Sequence, residues 1–310
     1  MSFDHRLGAV SNLGKKYDMS FSRNREAIEG ALMAYSAQHE PVTSRQLYYH
    51  SVILGLVSKD EGSYKKIAAL VVSLRESGTM PWDWVRDGSR NLIEPPMYDR
   101  VAEGVASALS WIRLNPWKDK AETIFILLEK DALSGIVEDV TDFYGAPLLP
   151  VRGFCSVTKL QEAAERAEED GRPCYVYQLG DFDPSGLSAM ETSRNTLRRY
   201  APGANFIFET LAITPAQLEA MERARFEAAC RPVKANDTRA ASFREQYDVW
   251  FREHFGMPCQ CVELDALEPD HLRDLVREAI RRHVTDEEIE TCRIRAEREA
   301  ALVRRKLRLG

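Results

Sequence analysis

Two apolar runs that stop on carboxylates constrain this chain more than any other feature. Thr123–Leu128 (TIFILL) runs straight into Glu129, and residues 174–179 (CYVYQL) run through Gly180 into Asp181 and Asp183. β-Branched and aromatic runs of this length predict buried strands. The residues after them, about 131–143 and Pro184–Tyr200, carry helical spacing. Strands near 148–151 and 205–211, with a helix from 157 to about 169, continue the alternation. Strands alternating with helices predict an α/β fold with a mostly parallel sheet and right-handed crossovers. Ligands of such sheets sit beyond the carboxyl ends of the strands. Glu129, Asp181 and Asp183 delivered to one edge make an oxygen-only donor set suited to Mg²⁺, which binds through few carboxylates plus phosphate oxygens and water. Asp183-Pro184 also predicts a helix N-cap with proline at the first position, a role that asks nothing of Glu129 or Asp181.

Upstream the pattern is helical. Residues 1–20 read as a polar arm. A helix over 22–38 carries Ile28, Ala31, Leu32 and Tyr35 on one face and ends before Pro41. Thr43 and Gln46 form a capping box that opens a second helix, bearing Leu47, Tyr48, Tyr49 and Val52. A third, over 62–77, turns Ile67, Leu70, Val71 and Leu74 inward and leaves Lys65 and Lys66 outside. Asp87-Gly88 then signals a two-residue hairpin. Three helices and a hairpin predict a winged-helix domain over 21–95, whose third helix enters the DNA major groove and whose wing carries Arg86 and Arg90 toward phosphate. A packed helical domain for protein contacts has the same pattern. A connecting helix falls within 96–118, and residues 119–310 read as one elaborated domain. In that domain, residues 231–243 read as a polar connection and 259–267 (CQCVELDAL) as one more strand. A helix from 270 to about 283 precedes a last one capped by Thr285 and Glu288, with a basic tail.

The net charge of −6 excludes a uniformly basic nucleic-acid coat and leaves room for a local basic face. No apolar run approaches the ~18 residues of a membrane span. The opening residues lack a signal-peptide core, so a cytoplasmic location is expected. The six cysteines form no Cys-x-x-Cys pair and are expected as thiols.

E-K-D-A-L-S-G at 129–135, R-G-F at 152–154 and G-D-F-D-P-S-G at 180–186 resemble the Toprim domain, and more narrowly that of topoisomerase VI A subunits and the related meiotic double-strand-break protein. S-R-Q-L-Y-Y at 44–49 is similar to that family's nucleophile motif, an arginine four positions before the catalytic tyrosine, and V-E-L-D-A-L at 262–267 to the distal part of its Toprim region. The likeness covers residues 43 to about 283. It implies Mg²⁺-dependent cleavage of double-stranded DNA by Tyr49, leaving a phosphotyrosine link. Glu129 is then both metal ligand and general acid/base, Arg45 stabilises phenolate or phosphate, and Arg152 contacts phosphate. The resemblance further implies a homodimer whose centres are shared between protomers. Because the chain has no ATP-binding motif, it also implies a separate GHKL-type ATPase subunit. A phenol, with its pKa near 10, needs such activation. Two other readings share these residues. In a hydrolytic Toprim nuclease of a defence or mobile-element system, water replaces Tyr49. In a non-catalytic winged-helix DNA-binding protein, Tyr48 and Tyr49 are core residues.

Overall fold

A computed structural model describes residue 21 and residues 24–86, 95–151 and 157–307. Three helices open it: α1 Arg25–His39, α2 Ser44–Ile53 and α3 Glu61–Glu76. Thr43 caps α2 as the sequence predicts, its hydroxyl accepting from the Gln46 amide while the Gln46 side chain accepts from the Thr43 amide. Ile28, Leu32, Leu47, Tyr48, Tyr49, Ile67, Leu70 and Val71 form one core between these helices. The predicted hairpin falls at 87–94, outside the described residues, as does Arg90. What precedes it is a 3₁₀ turn, Trp82–Trp84, followed by Val85 bridged to Val42, the residue between α1 and α2. Helix α4, Val101–Trp111, then crosses to the sheet.

The sheet has four parallel strands in the order β2-β1-β3-β4: β1 Thr123–Leu128, β2 Leu148–Pro150, β3 Cys174–Leu179 and β4 Phe206–Ala212. β1 and β3 are neighbours along their full length, from Thr123 opposite Cys174 to Leu128 opposite Leu179. Every residue of β1 after the first is buried, because helices cover both faces. The period of two sorts the side chains. Ile124, Ile126 and Leu128 pack with α5 (Ser134–Phe143) and α11 (Pro269–Arg281), through Ile136, Val140, Val276 and Ile280. Phe125 and Leu127 face the other way, toward Leu160 of α6 (Val157–Asp170) and Leu197 of α7 (Pro184–Tyr200).

β4 leads to two short helices, α8 Pro215–Ala220 and α9 Arg223–Ala229, then β5 Cys230–Pro232, α10 Ala240–Phe255 and β6 Gln260–Val262. The last helix, α12, spans Asp286–Leu307. Two expectations are corrected here. Residues 259–267 are not one strand: β6 stops at Val262, and Leu264–Ala266 is a 3₁₀ turn. The ladder ends because the Leu264 amide donates to Asp181 Oδ1 (2.7 Å) instead of to a strand partner. The connection over 231–243 is not irregular throughout, since β5 pairs antiparallel with β6 and α10 starts at Ala240. The amphipathic spacing of Phe243, Tyr247, Trp250 and Phe251 was the missed signal for α10. Among the described residues no helix is long and apolar enough to cross a membrane.

The helical unit is tied to the sheet unit by polar groups. Arg273 on α11 donates to the carbonyls of Pro41 (2.8 Å), His39 (3.2 Å) and Ile136 (3.1 Å). Lys59, in the turn after α2, donates to the Cys230 carbonyl. These contacts set α2 against α9 and the turn at 264–266.

Candidate active site

Strand order reverses between β1 and β3: the chain steps from β1 to β2 on one side, then returns to add β3 and β4 on the other. That is a topological switch point, where side chains beyond the strand ends border a crevice. Glu129 follows β1 directly and its amide donates to the Leu179 carbonyl (2.8 Å), which continues the pairing by one residue. Its carboxylate reaches across and accepts from the Asp181 amide at 2.7 Å. Two glycines make room for it. A Cβ at Gly180 or at Gly186 would stand 2.8 Å from Glu129 Oε2, so an alanine at either position pushes the carboxylate out.

Asp181 and Asp183 flank Phe182, whose backbone pairs with Val262 and whose ring is buried against Phe243 and Tyr247. Phe182 thereby aims both acids at the edge. Asp183 caps α7 as predicted, its Oδ1 accepting from the Gly186 amide at 2.7 Å. Its Oδ2 takes Arg231 of β5 at 2.9 Å. Asp181 Oδ1 is shared between the Leu264 amide and Lys130 Nζ, the latter at 3.2 Å.

A second pair of acids, Glu263 and Asp265, lies beside the first, each only 3% exposed. Glu263 receives Lys130 at 3.2 Å, Arg45 at 2.8 Å and Arg231. Lys130 also reaches Asp265 at 2.5 Å. Burial alone would keep Glu263 neutral, but Lys130, Arg231 and Arg45 outweigh it and hold the carboxyl below its usual range. The first acids behave in the opposite way. Burial, and then the charge of Asp181, push Glu129 up to about 7. Burial raises Asp181 to about 6 against the pull of Lys130, a cation it shares with two other acids. Carboxylates gathered without enough positive charge respond in this direction.

Arg45 and Tyr49 meet this cluster within the same chain. Arg45 holds Glu263 and lies over the Tyr64 ring, 5.6 Å from its centroid. Tyr49 is buried, 5% exposed, and its hydroxyl is pushed up by burial and then by Glu263 and Asp265, with Arg45 and Lys130 opposing. Tyr48 points elsewhere: its hydroxyl donates to the Asp60 carbonyl at 3.4 Å. Between the two tyrosines, only Tyr49 has Glu263, Asp265 and Lys130 among the charges that act on it.

The remaining sequence-predicted residues are scattered. Lys65 is exposed on α3 with Glu61 one turn away, and Lys66 lies over the Phe21 ring. Arg86 faces α5, where it donates to the Gly135 carbonyl (3.3 Å) and pairs with Asp139. Arg152 lies outside the described residues. Glu263, Asp265 and Arg231 were the functional candidates that sequence reasoning passed over. The first two had a signal, since acids at 263 and 265 alternate with apolar residues in a stretch otherwise fit for burial. Arg231 had none.

Among the described residues no group of three or more histidine, cysteine, aspartate or glutamate side chains is arranged to hold a metal ion. Glu129, Asp181 and Asp183 are gathered at one edge, yet Lys130 and Arg231 stand on the two aspartates. No protein-family model matches the chain, and no curated protein matches it.

Proposed function

We propose that this protein cleaves phosphodiester bonds of double-stranded DNA with Mg²⁺, through a tyrosine nucleophile, in the manner of a topoisomerase VI A subunit with a winged helix and a Toprim domain. The observation that carries the proposal is the convergence, at the switch point between β1 and β3, of Glu129 and Asp181 with the Arg45–Glu263 pair that brings Tyr49 to the same edge. Glu129, Asp181 and Asp183 would hold the cation. Their donors are all oxygen, the first two carry too little positive charge for their burial, and Gly180 and Gly186 leave the carboxylate of Glu129 its space. When bound, the ion supplies charge to offset that on the scissile phosphate and the leaving oxygen.

The chain's own residues do the rest. Tyr49 Oη forms a bond to phosphorus as the bond from phosphorus to the leaving oxygen breaks, and its proton passes to a base at the edge. Arg45, one helical turn before Tyr49, steadies the phenolate or the phosphate. By the same resemblance, Glu129 is the group that gives the leaving oxygen a proton and takes it back. The homodimer with centres shared between protomers and the GHKL-type ATPase enter by resemblance alone.

Burial of Tyr49 and the upward push on its hydroxyl favour one alternative, hydrolysis with water as the nucleophile. One experiment separates the two. Tyr49→Phe keeps the ring, so the fold should persist while cleavage is lost. Wild-type protein denatured during reaction with Mg²⁺ and duplex DNA should carry a covalent DNA end, and Tyr48→Phe should carry it too. Free ends, no adduct and near-normal cleavage by Tyr49→Phe establish hydrolysis instead.

A further inference from the structure

Tyr35 of α1 stands between two histidines, and the two are provided for differently. Its ring centroid lies 4.6 Å from that of His39 and 4.1 Å from that of His50, the second pair stacked. His39 Nδ1 bonds to Asp270 of α11, and Arg273 holds the other oxygen of that carboxylate at 2.6 Å. A proton on His39 therefore meets an anion already in place. The His50 ring makes no hydrogen bond among the described residues. The acid that acts on it, Glu268, is taken by Arg225 of α9. We propose that this stack is a proton-operated latch between the helical unit and the sheet unit, closed while His50 is neutral and loosened when His50 is protonated under the charge of Arg225.

The stack lies on the joint itself. On one side are α1 and α2; on the other are α9, α11 and the turn at 264–266, where Arg225 donates to the Ala266 carbonyl (3.0 Å). Arg273 closes the same joint through the carbonyls of His39 and Pro41. Three charged groups act on His50 from the elements around it: Arg225 of α9, His39 of α1 and Glu268 at the start of α11. Arg225 is positive throughout, His39 becomes so as pH falls, and the one acid is already partnered. Burial first, and Arg225 next, hold the His50 imidazole below its usual range. The closed joint thus takes up that proton less readily than a free imidazole does. Closure is fully supported above 6.5, the ordinary value, and weakens as pH falls below it. His50 directly follows Tyr49 on α2, so the latch also governs how Tyr49 meets Glu263 and Asp265. It requires no chemistry at that edge.

The test is hydrogen exchange of the full chain at pH 7.5 and pH 5.5, read by mass spectrometry and corrected for intrinsic exchange rates. Peptides from α1, α2 and α11 should lose protection at the lower pH, by up to about tenfold one unit below the ordinary imidazole value, while β1 and β3 keep theirs. His50→Phe keeps a ring against Tyr35 and carries no charge, so its protection should not change between the two pH values. Arg225→Gln leaves His50 in place and removes the cation it meets. It should show a smaller loss than wild type, and it serves if the phenylalanine variant does not fold. Equal protection of the wild type at both pH values overturns the latch. So does a loss that persists undiminished in both variants, or one shared by β1 and β3, which marks loosening of the whole chain.

Discussion

The sheet edge and the C-terminal helix α12 are both dense in charge, and they use it differently. Along α12 beyond its first turn the ion pairs are local: Arg293 with Glu290 and Glu297, and Arg295 with Glu299, three or four residues apart and open to solvent. At the sheet edge the partners are far apart in the chain, Arg45 with Glu263, Lys130 with Asp265 and Arg231 with Asp183. Solvent screens the first kind, which contributes little. In the second kind the acids are withdrawn from water, so they depend on their cations and removal of one leaves a buried charge stranded. Identical residue types thus make a solvated face in one region and a cooperative site in the other.

The largest effect expected from disturbing the edge is on activity. Asp181→Asn or Asp183→Asn should reduce Mg²⁺-dependent DNA cleavage to background in a plasmid assay, with DNA binding retained. Asparagine caps a helix as well as aspartate does, so the start of α7 should survive in the second variant. Full cleavage by the double variant would remove the edge from the chemistry.

Next in size is a loss of stability. Glu263→Gln deprives Arg45, Lys130 and Arg231 of a shared partner and should cost about 3 kcal/mol, measured by urea unfolding. A cost as small as that of a surface pair would show that the sheet-edge charges are no more interdependent than those of α12.

Glu129 sharpens the comparison through pH. Its folded pKa is raised from 4.5 to about 7, so the folded state holds the proton more tightly than the unfolded chain. The associated stability is fully present below 4.5 and is lost as pH rises through about 7. In EDTA at pH 8, Glu129→Gln should therefore be more stable than wild type, by on the order of 2 kcal/mol. Equal stability of the two proteins across this range would show that the acid carries no such strain.

The smallest effect is expected on α12. Arg295→Ala breaks an exposed pair four residues apart and should change stability by less than about 0.5 kcal/mol. A larger loss would mean that α12 has a partner that solvated charges do not explain.

How far the sequence spoke depends on the range of the interaction. The strands β1 and β3, the Thr43 and Asp183 caps and the helices α1 to α3 were legible, because period, capping chemistry and proline act within a few residues of chain. That Glu129 and Asp181 share an edge also followed, once alternating strands and helices implied a parallel sheet. The turn at 264–266 did not, since its cause is a hydrogen bond from Leu264 to Asp181, eighty-three residues back. Nor did the orientation of Arg86, which depends on where α5 docks.

The sequence by itself therefore determined the elements, their order and the acids that end two strands. Only the tertiary structure decided that Tyr49, and not Tyr48, feels Glu263, Asp265 and Lys130, and that Glu263, Asp265 and Arg231 complete the cluster. The physical reason is that hydropathy and capping are local, whereas the state of a buried charge is set by whichever charges the fold brings within a few ångströms of it.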